Sequence, residues 1–174
     1  MSFAADSILV LLDTTPEGTL ATSSAALLGA ASTLGTPVAL VLGDMAAASK
    51  AADLGATAVL RTDAVPIVGT HATDALAAAA ALVTPDAVLA SHSVEGREVA
   101  ARFAARTRSG IIADAVAVAR DSEGIIATNA AYGGAYTVGS AVTHSAPVIT
   151  VRQGSIEARA AAQPANVIEL DVPT

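Results

Sequence analysis

Ile8–Leu12 is an unbroken apolar run, the pattern of a strand buried on both faces of a sheet. A polar loop, Asp13–Gly18, comes after it. Beyond the loop Leu20, Leu27, Leu28, Ala31 and Leu34 recur at helical spacing. Gly35 and Pro37 predict the end of that helix, and Pro37–Leu42 predicts a second strand. Asp44 is placed to cap a second helix, which Leu54-Gly55 closes. Ala58–Leu60 predicts a short third strand. Thr70 or Thr73 caps a third helix, Asp74–Val83, with Asp74 near the positive end of its dipole. Asp86–Ser91 predicts a fourth strand. The loop Ser91–Gly96 then leads into helix Arg97–Thr107, with Val99 and Phe103 on one side and Glu98, Arg102 and Arg106 laddered along the surface.

Strands alternating with helices predict an α/β fold: a parallel Rossmann-like (adenine-nucleotide-hydrolase-like) sheet from four βα units. After Gly110 the pattern changes. Ile111–Arg120, Ile125–Tyr132, Ala135–Thr143 and Pro147–Arg152 read as strands with no helix between them, an antiparallel or mixed extension of the same sheet. Gly133-Gly134 reads as a two-residue hairpin turn. On that reading Tyr132, Tyr136, Val138 and Val142 alternate onto one sheet face, which the chain's own crossovers leave uncovered. Such a face is an interface candidate. Two outcomes stay open: a partner covers it, or residues 154–174 fold back over it. Residues 1–154 form the expected domain. Residues 155–174 read as a linker and tail towards a further domain, with Val167–Val172 alternating like a final strand.

Composition narrows the function. The chain has 174 residues, a length for one domain, and no cysteine, which removes disulfides, thiolate nucleophiles and cysteine-based zinc sites. Its hydrophobic content of 53% owes much to alanine, a helix former of small area. No apolar run reaches the roughly 20 residues that span a bilayer, and Met1–Asp6 lacks the basic flank of a secretory signal. The expectation is a soluble, cytoplasmic protein. Net charge is −7 and aromatic residues are few, which argues against nucleic acid and anionic membranes as partners.

No Gly-x-Gly, P-loop or Gly-x-Ser-x-Gly elbow occurs, and Lys50 is the sole lysine. His71, His92 and His144 are the only histidines and none has metal-binding spacing. Ser91-His92-Ser93 at the end of the fourth strand invites a nucleophile-and-base reading, but adjacent residues rarely point at each other usefully. A helix-capping loop is the plainer account. Ser93, Gly96 and Arg97, at the start of the next helix, are candidates for an anion site. The arginines from Arg97 to Arg108 fit a solvated helix face or a docking surface. No catalytic residue and no metal ligand is expected.

Four segments in order carry a family resemblance: Gly96–Arg106, Asp114–Val118, Tyr132–Ala135 and Val148–Arg152. With Leu54–Leu60 and Ile8–Leu12 they resemble the amino-terminal domain of electron-transfer flavoprotein α subunits over nearly the whole chain. The resemblance implies a base that packs on a β subunit of related fold. It implies FAD held by a separate carboxy-terminal domain, and a complex that carries electrons from flavoprotein dehydrogenases to an acceptor. That second domain, with its Gly-Gly-Arg-Gly type segment, is absent, so the chain alone is expected to bind no FAD and to self-associate through its uncovered face. The sequence also departs from the family at Asn129–Tyr132 and at Ala135. An alternative is a stand-alone nucleotide-binding module of universal-stress-like fold, but its glycine signature after the fourth strand is missing. A third, a hydrolase using Ser91 or Ser93, lacks an oxyanion motif.

Overall fold

The computed structural model describes residues 2–63 and 70–173. The elements run β1 (Ser7–Leu12), α1 (Ser24–Leu34), β2 (Thr36–Leu42), α2 (Met45–Asp53), β3 (Ala58–Thr62), α3 (Thr70–Val83), β4 (Ala87–Ser91) and α4 (Val94–Thr107). Then come β5 (Ile111–Asp121), β6 (Gly124–Ala131), β7 (Tyr136–Ala141), β8 (Val148–Val151) and β9 (Val167–Glu169). The described strands make one nine-stranded sheet in the order β7-β6-β5-β8-β4-β1-β2-β3-β9. From β5 to β9 every neighbouring pair is parallel; β6 and β7 add antiparallel at one edge. This is the expected α/β class, with the expected antiparallel extension.

Strand alternation divides the core into two layers. Ile8, Val10 and Leu12 face α1 and α2, while Leu9 and Leu11 face α3 and α4. All six residues of β1 are buried, which is why its sequence is a continuous apolar run. Alanine does much of the helix packing: Ala47, Ala48, Ala51 and Ala52 form the buried face of α2. The central strands are fed from β1 towards β2 on one side and from β4 on the other, so the topological switch lies between β1 and β4.

Four boundaries differ from the sequence reading, each for a local reason. Helix α4 starts at Val94, not Arg97, because Ser93 caps it. Leu20 lies outside α1, where Thr14 and Leu20 form an isolated antiparallel bridge. Helix α3 reaches back to Thr70, and residues before it lie outside those described. The β6–β7 connection has four residues rather than two, since Ala131 pairs with Tyr136. A 3₁₀ turn at Tyr132–Gly134 makes it, with Tyr132, Gly133 and Gly134 all at positive φ (51°, 66° and 90°). The segment after β8 runs as an extended strap to the far edge of the sheet, where β9 pairs with β3.

Candidate functional site

Two places carry the candidate residues: the carboxyl edge at β1, β4 and β8, where open α/β sheets bind ligands, and the hairpin at the β7 edge. At the first, Ser93 accepts a hydrogen bond from the Gly96 backbone N–H at 2.9 Å, the N-cap of α4. A Cβ on Gly96 would overlap the Ser91 carbonyl oxygen, so glycine there lets the helix start press against β4. Arg97, the third anion-site candidate, is exposed.

Asp13, at the end of β1, faces Ser91 and Ser93. Burial pushes its carboxyl pKa up, the Ser93 hydroxyl opposes that, and the charge of Glu95 adds to the rise. Two acidic side chains, Asp13 and Glu95, thus stand beside the cap of α4. Their negative charge disfavours a pyrophosphate at this helix start, where the Gly96 N–H is already taken by the Ser93 hydroxyl. The geometry also removes the serines as nucleophiles: Ser91 is fully buried and the Ser93 hydroxyl is the cap.

Sequence reasoning missed a polar network beside this edge. His92 Nδ1 lies 2.9 Å from Thr150 Oγ1, and Thr150 Oγ1 accepts the Asp114 backbone N–H at 3.0 Å. Arg152 donates to both Asp114 oxygens, at 3.0 and 2.6 Å, and His92 Nε2 stands 3.9 Å from Asp114. Arg152's hydrogen bonds hold the Asp114 carboxyl below its usual range, against a smaller opposing effect of burial. Asp114 has φ 61° at a register shift in β5, and Asn129 Nδ2 donates to the carbonyls of Ala113 and Asp114 at 2.7 and 3.1 Å. Aspartate is one of the few side chains that tolerate such a backbone. Thr150 is fully buried, so the His92–Thr150 pair positions the ends of β4, β5 and β8 and offers no accessible nucleophile. Among the described residues no cluster of three potential metal ligands occurs, and no helix is long and apolar enough to cross a membrane.

The second place is the hairpin. No Asp, Glu, Lys or Arg occurs from Gly124 to Val151. Tyr132 is 88% exposed, Tyr136 66% and Val138 48%, and the two tyrosine rings meet edge to face with centroids 5.9 Å apart. β7 ends the sheet order, so one side of its backbone has no strand beside it among the described residues. Val142 does not share this surface. It lies beyond the end of β7, half-buried against the core and against Gly110, where a Cβ would come within 2.6 Å of its methyls. The regular strand to Thr143 that would have aligned it with Tyr136 and Val138 stops at Ala141. The strap does not cover the hairpin; it runs to the opposite edge.

The domain is a doubly wound α/β fold with acidic side chains beside its switch point and an uncharged aromatic hairpin at one edge. Residues 8–174 match the electron transfer flavoprotein domain, and the chain belongs to that family. It is 38% identical over 173 residues to the electron transfer flavoprotein subunit alpha of Mycobacterium tuberculosis, in strains CDC 1551 / Oshkosh and ATCC 25618 / H37Rv alike. It is 36% identical over 177 residues to the same subunit of Mycobacterium leprae strain TN. Each match covers 95% of this chain and 53% of the relative, so the chain spans about half their length. It corresponds to the amino-terminal domain of the alpha subunit.

Proposed function

We propose that this chain is the scaffold domain of a soluble, flavin-based electron carrier and that it packs on the carrier's β subunit through the Tyr132–Val138 hairpin. One observation carries the reading: an uncharged edge hairpin with two exposed tyrosines, Tyr132 in its turn and Tyr136 in β7. Natural edge strands are usually blunted by charge, proline or a covering element. β7 has no charged residue and no proline, and it is left bare at both faces. Aromatic residues exposed in this way anchor protein interfaces.

In this reading the domain performs no chemistry. Its sheet and the His92–Asp114–Arg152 network hold the hairpin in place. FAD belongs to the intact carrier, bound outside these residues, and electrons pass through that flavin from flavoprotein dehydrogenases to an acceptor. Alone, the chain buries its hairpin by self-association. The test is to mix the purified chain with an electron-transfer flavoprotein β subunit from the same source and measure mass by light scattering after gel filtration. A stoichiometric complex that replaces self-associated species is expected. Two proteins eluting unchanged at tens of micromolar would overturn the proposal.

A further inference from the structure

We infer that residues 155–170 act as a latch: an extended strap that docks on a track across α1 and α2 and releases as a unit while the βα core stays folded. The strap starts just after β8 and ends in β9, at the far edge of the sheet. Between them it has no regular secondary structure, and Leu170 is its only buried hydrophobic residue. Backbone groups do most of the holding. Gln163 N–H donates to the Ala52 carbonyl at 2.9 Å, Val59 N–H to the Asn166 carbonyl at 2.9 Å, and Leu170 N–H to the Arg61 carbonyl at 2.8 Å. The Arg61–Glu169 ion pair adds little, since Glu169 is 64% exposed.

Two glycines make the track. Gly29 sits inside α1, where glycine is a poor helix former. A Cβ there would overlap the Ala158 carbonyl group, and a Cβ on Gly55 would overlap the Ala160 methyl. Gly29 is therefore shaped to the strap backbone that lies on it, and Gly55, itself at φ 113°, to the Ala160 methyl. The seat is shallow, however. A cleft of about 260 Å³ lies at the strap's root, between Ala30, Thr33, Val116 and Ile156. Ile156, Val167 and Ile168 pack only partly against the core, and a segment with few fully buried apolar side chains opens below the free energy of global unfolding.

Docked, the strap fixes the point of departure at the edge beside β3. Released, its sixteen residues free roughly 50 Å of contour at about 3.3 Å per residue. In relatives that continue beyond this region, the latch would set the reach of the polypeptide carboxy-terminal to it. The inference rests on the strap's own contacts and not on the electron-carrier reading.

Hydrogen exchange of the unmodified chain and limited trypsin digestion test it. Arg159 is the only tryptic site within residues 155–170. The amides of Val59, Gln163 and Leu170 are expected to share one opening rate, faster than that of Leu9 and Val10 in β1. Gly29→Ala should raise cleavage after Arg159 about tenfold or more, because proteolysis tracks the open population. Gly139→Ala, at the opposite sheet edge where an added Cβ makes only ordinary contact with Ile126, should leave that cleavage unchanged. Exchange of the three amides only at the core's rate, or with no protection, would overturn the latch. So would unchanged cleavage of Gly29→Ala, or its failure to fold, since the seat would then belong to the core.

Discussion

Replacing Tyr136 by alanine should separate association from folding. Tyr136 is 66% exposed in the isolated domain. A tyrosine offers roughly 150–250 Å² for burial, so roughly 100–165 Å² of it remains to be covered by a partner. At about 25 cal/mol per Å² that area is worth roughly 2.5–4 kcal/mol, the size of an interface hot spot. At about 1.4 kcal/mol per tenfold, Kd for the β subunit should weaken by roughly 60- to 700-fold. Folding should change by less than about 1 kcal/mol: an exposed edge strand asks little of its side chain, and the lost partner is one edge-to-face contact with Tyr132. Isothermal calorimetry gives the first number and urea unfolding the second. Binding unchanged within about threefold would refute the argument that this face meets the partner. A folding loss of about 2 kcal/mol or more would refute the claim that the residue is free in the domain.

The same geometry sets four further outcomes. FAD added to the isolated chain should keep the absorbance and fluorescence of free flavin; a stoichiometric complex of micromolar affinity would mean that the carboxyl edge accepts a pyrophosphate beside Asp13. Ser93→Ala should cost about 1 kcal/mol of folding stability and Ser93→Gly only a few tenths, because the cap's hydrogen bond to Gly96 N–H is lost but glycine tolerates the cap backbone; equal losses would deny the cap. For Asp13, whose pKa is raised in the folded state, ionisation opposes folding, so Asp13→Asn should match the wild type below about pH 3.8 and become the more stable of the two as pH rises through the raised value; urea midpoints at acid and neutral pH decide it. Val142→Asp should unfold the domain more than it weakens association, as read by urea midpoint against light scattering, since Val142 packs against Gly110 and the core.

Local pattern was legible where it repeated what the fold requires. The run Ile8–Leu12 is apolar because β1 has helices on both sides, and Gly35 ends α1 where the chain turns into β2. The tyrosine hairpin was legible as an extension of the sheet but not in its detail. A turn built on Tyr132 at positive φ has four residues where Gly133-Gly134 suggested two, and β7 stops at Ala141, which parts Val142 from Tyr136. The polar network was out of reach for another reason. His92, Asp114, Asn129 and Arg152 meet across four strands, and the register shift that brings the Asp114 carboxylate to Arg152 leaves no mark in the local alternation of β5. The strap looked like a linker because its alanines lack side-chain area; it is held through the absence of side chains at Gly29 and Gly55, far away in sequence.

The sheet order has a kinetic consequence. β5 never touches β4; β8, which comes later in the chain, lies between them. During synthesis the four βα units emerge first and can close around β1. The β5-β6-β7 meander emerges next, with no edge of its own to join until residues 148–151 arrive. At about 5–20 residues per second that interval is short, but through it the meander, which holds most of the longest uncharged stretch of the protein, waits with the β5 edge unpaired. Slow insertion of β8 would therefore favour capture of the meander by a neighbouring nascent chain, and the yield of folded protein should depend on how quickly that one four-residue strand finds its slot.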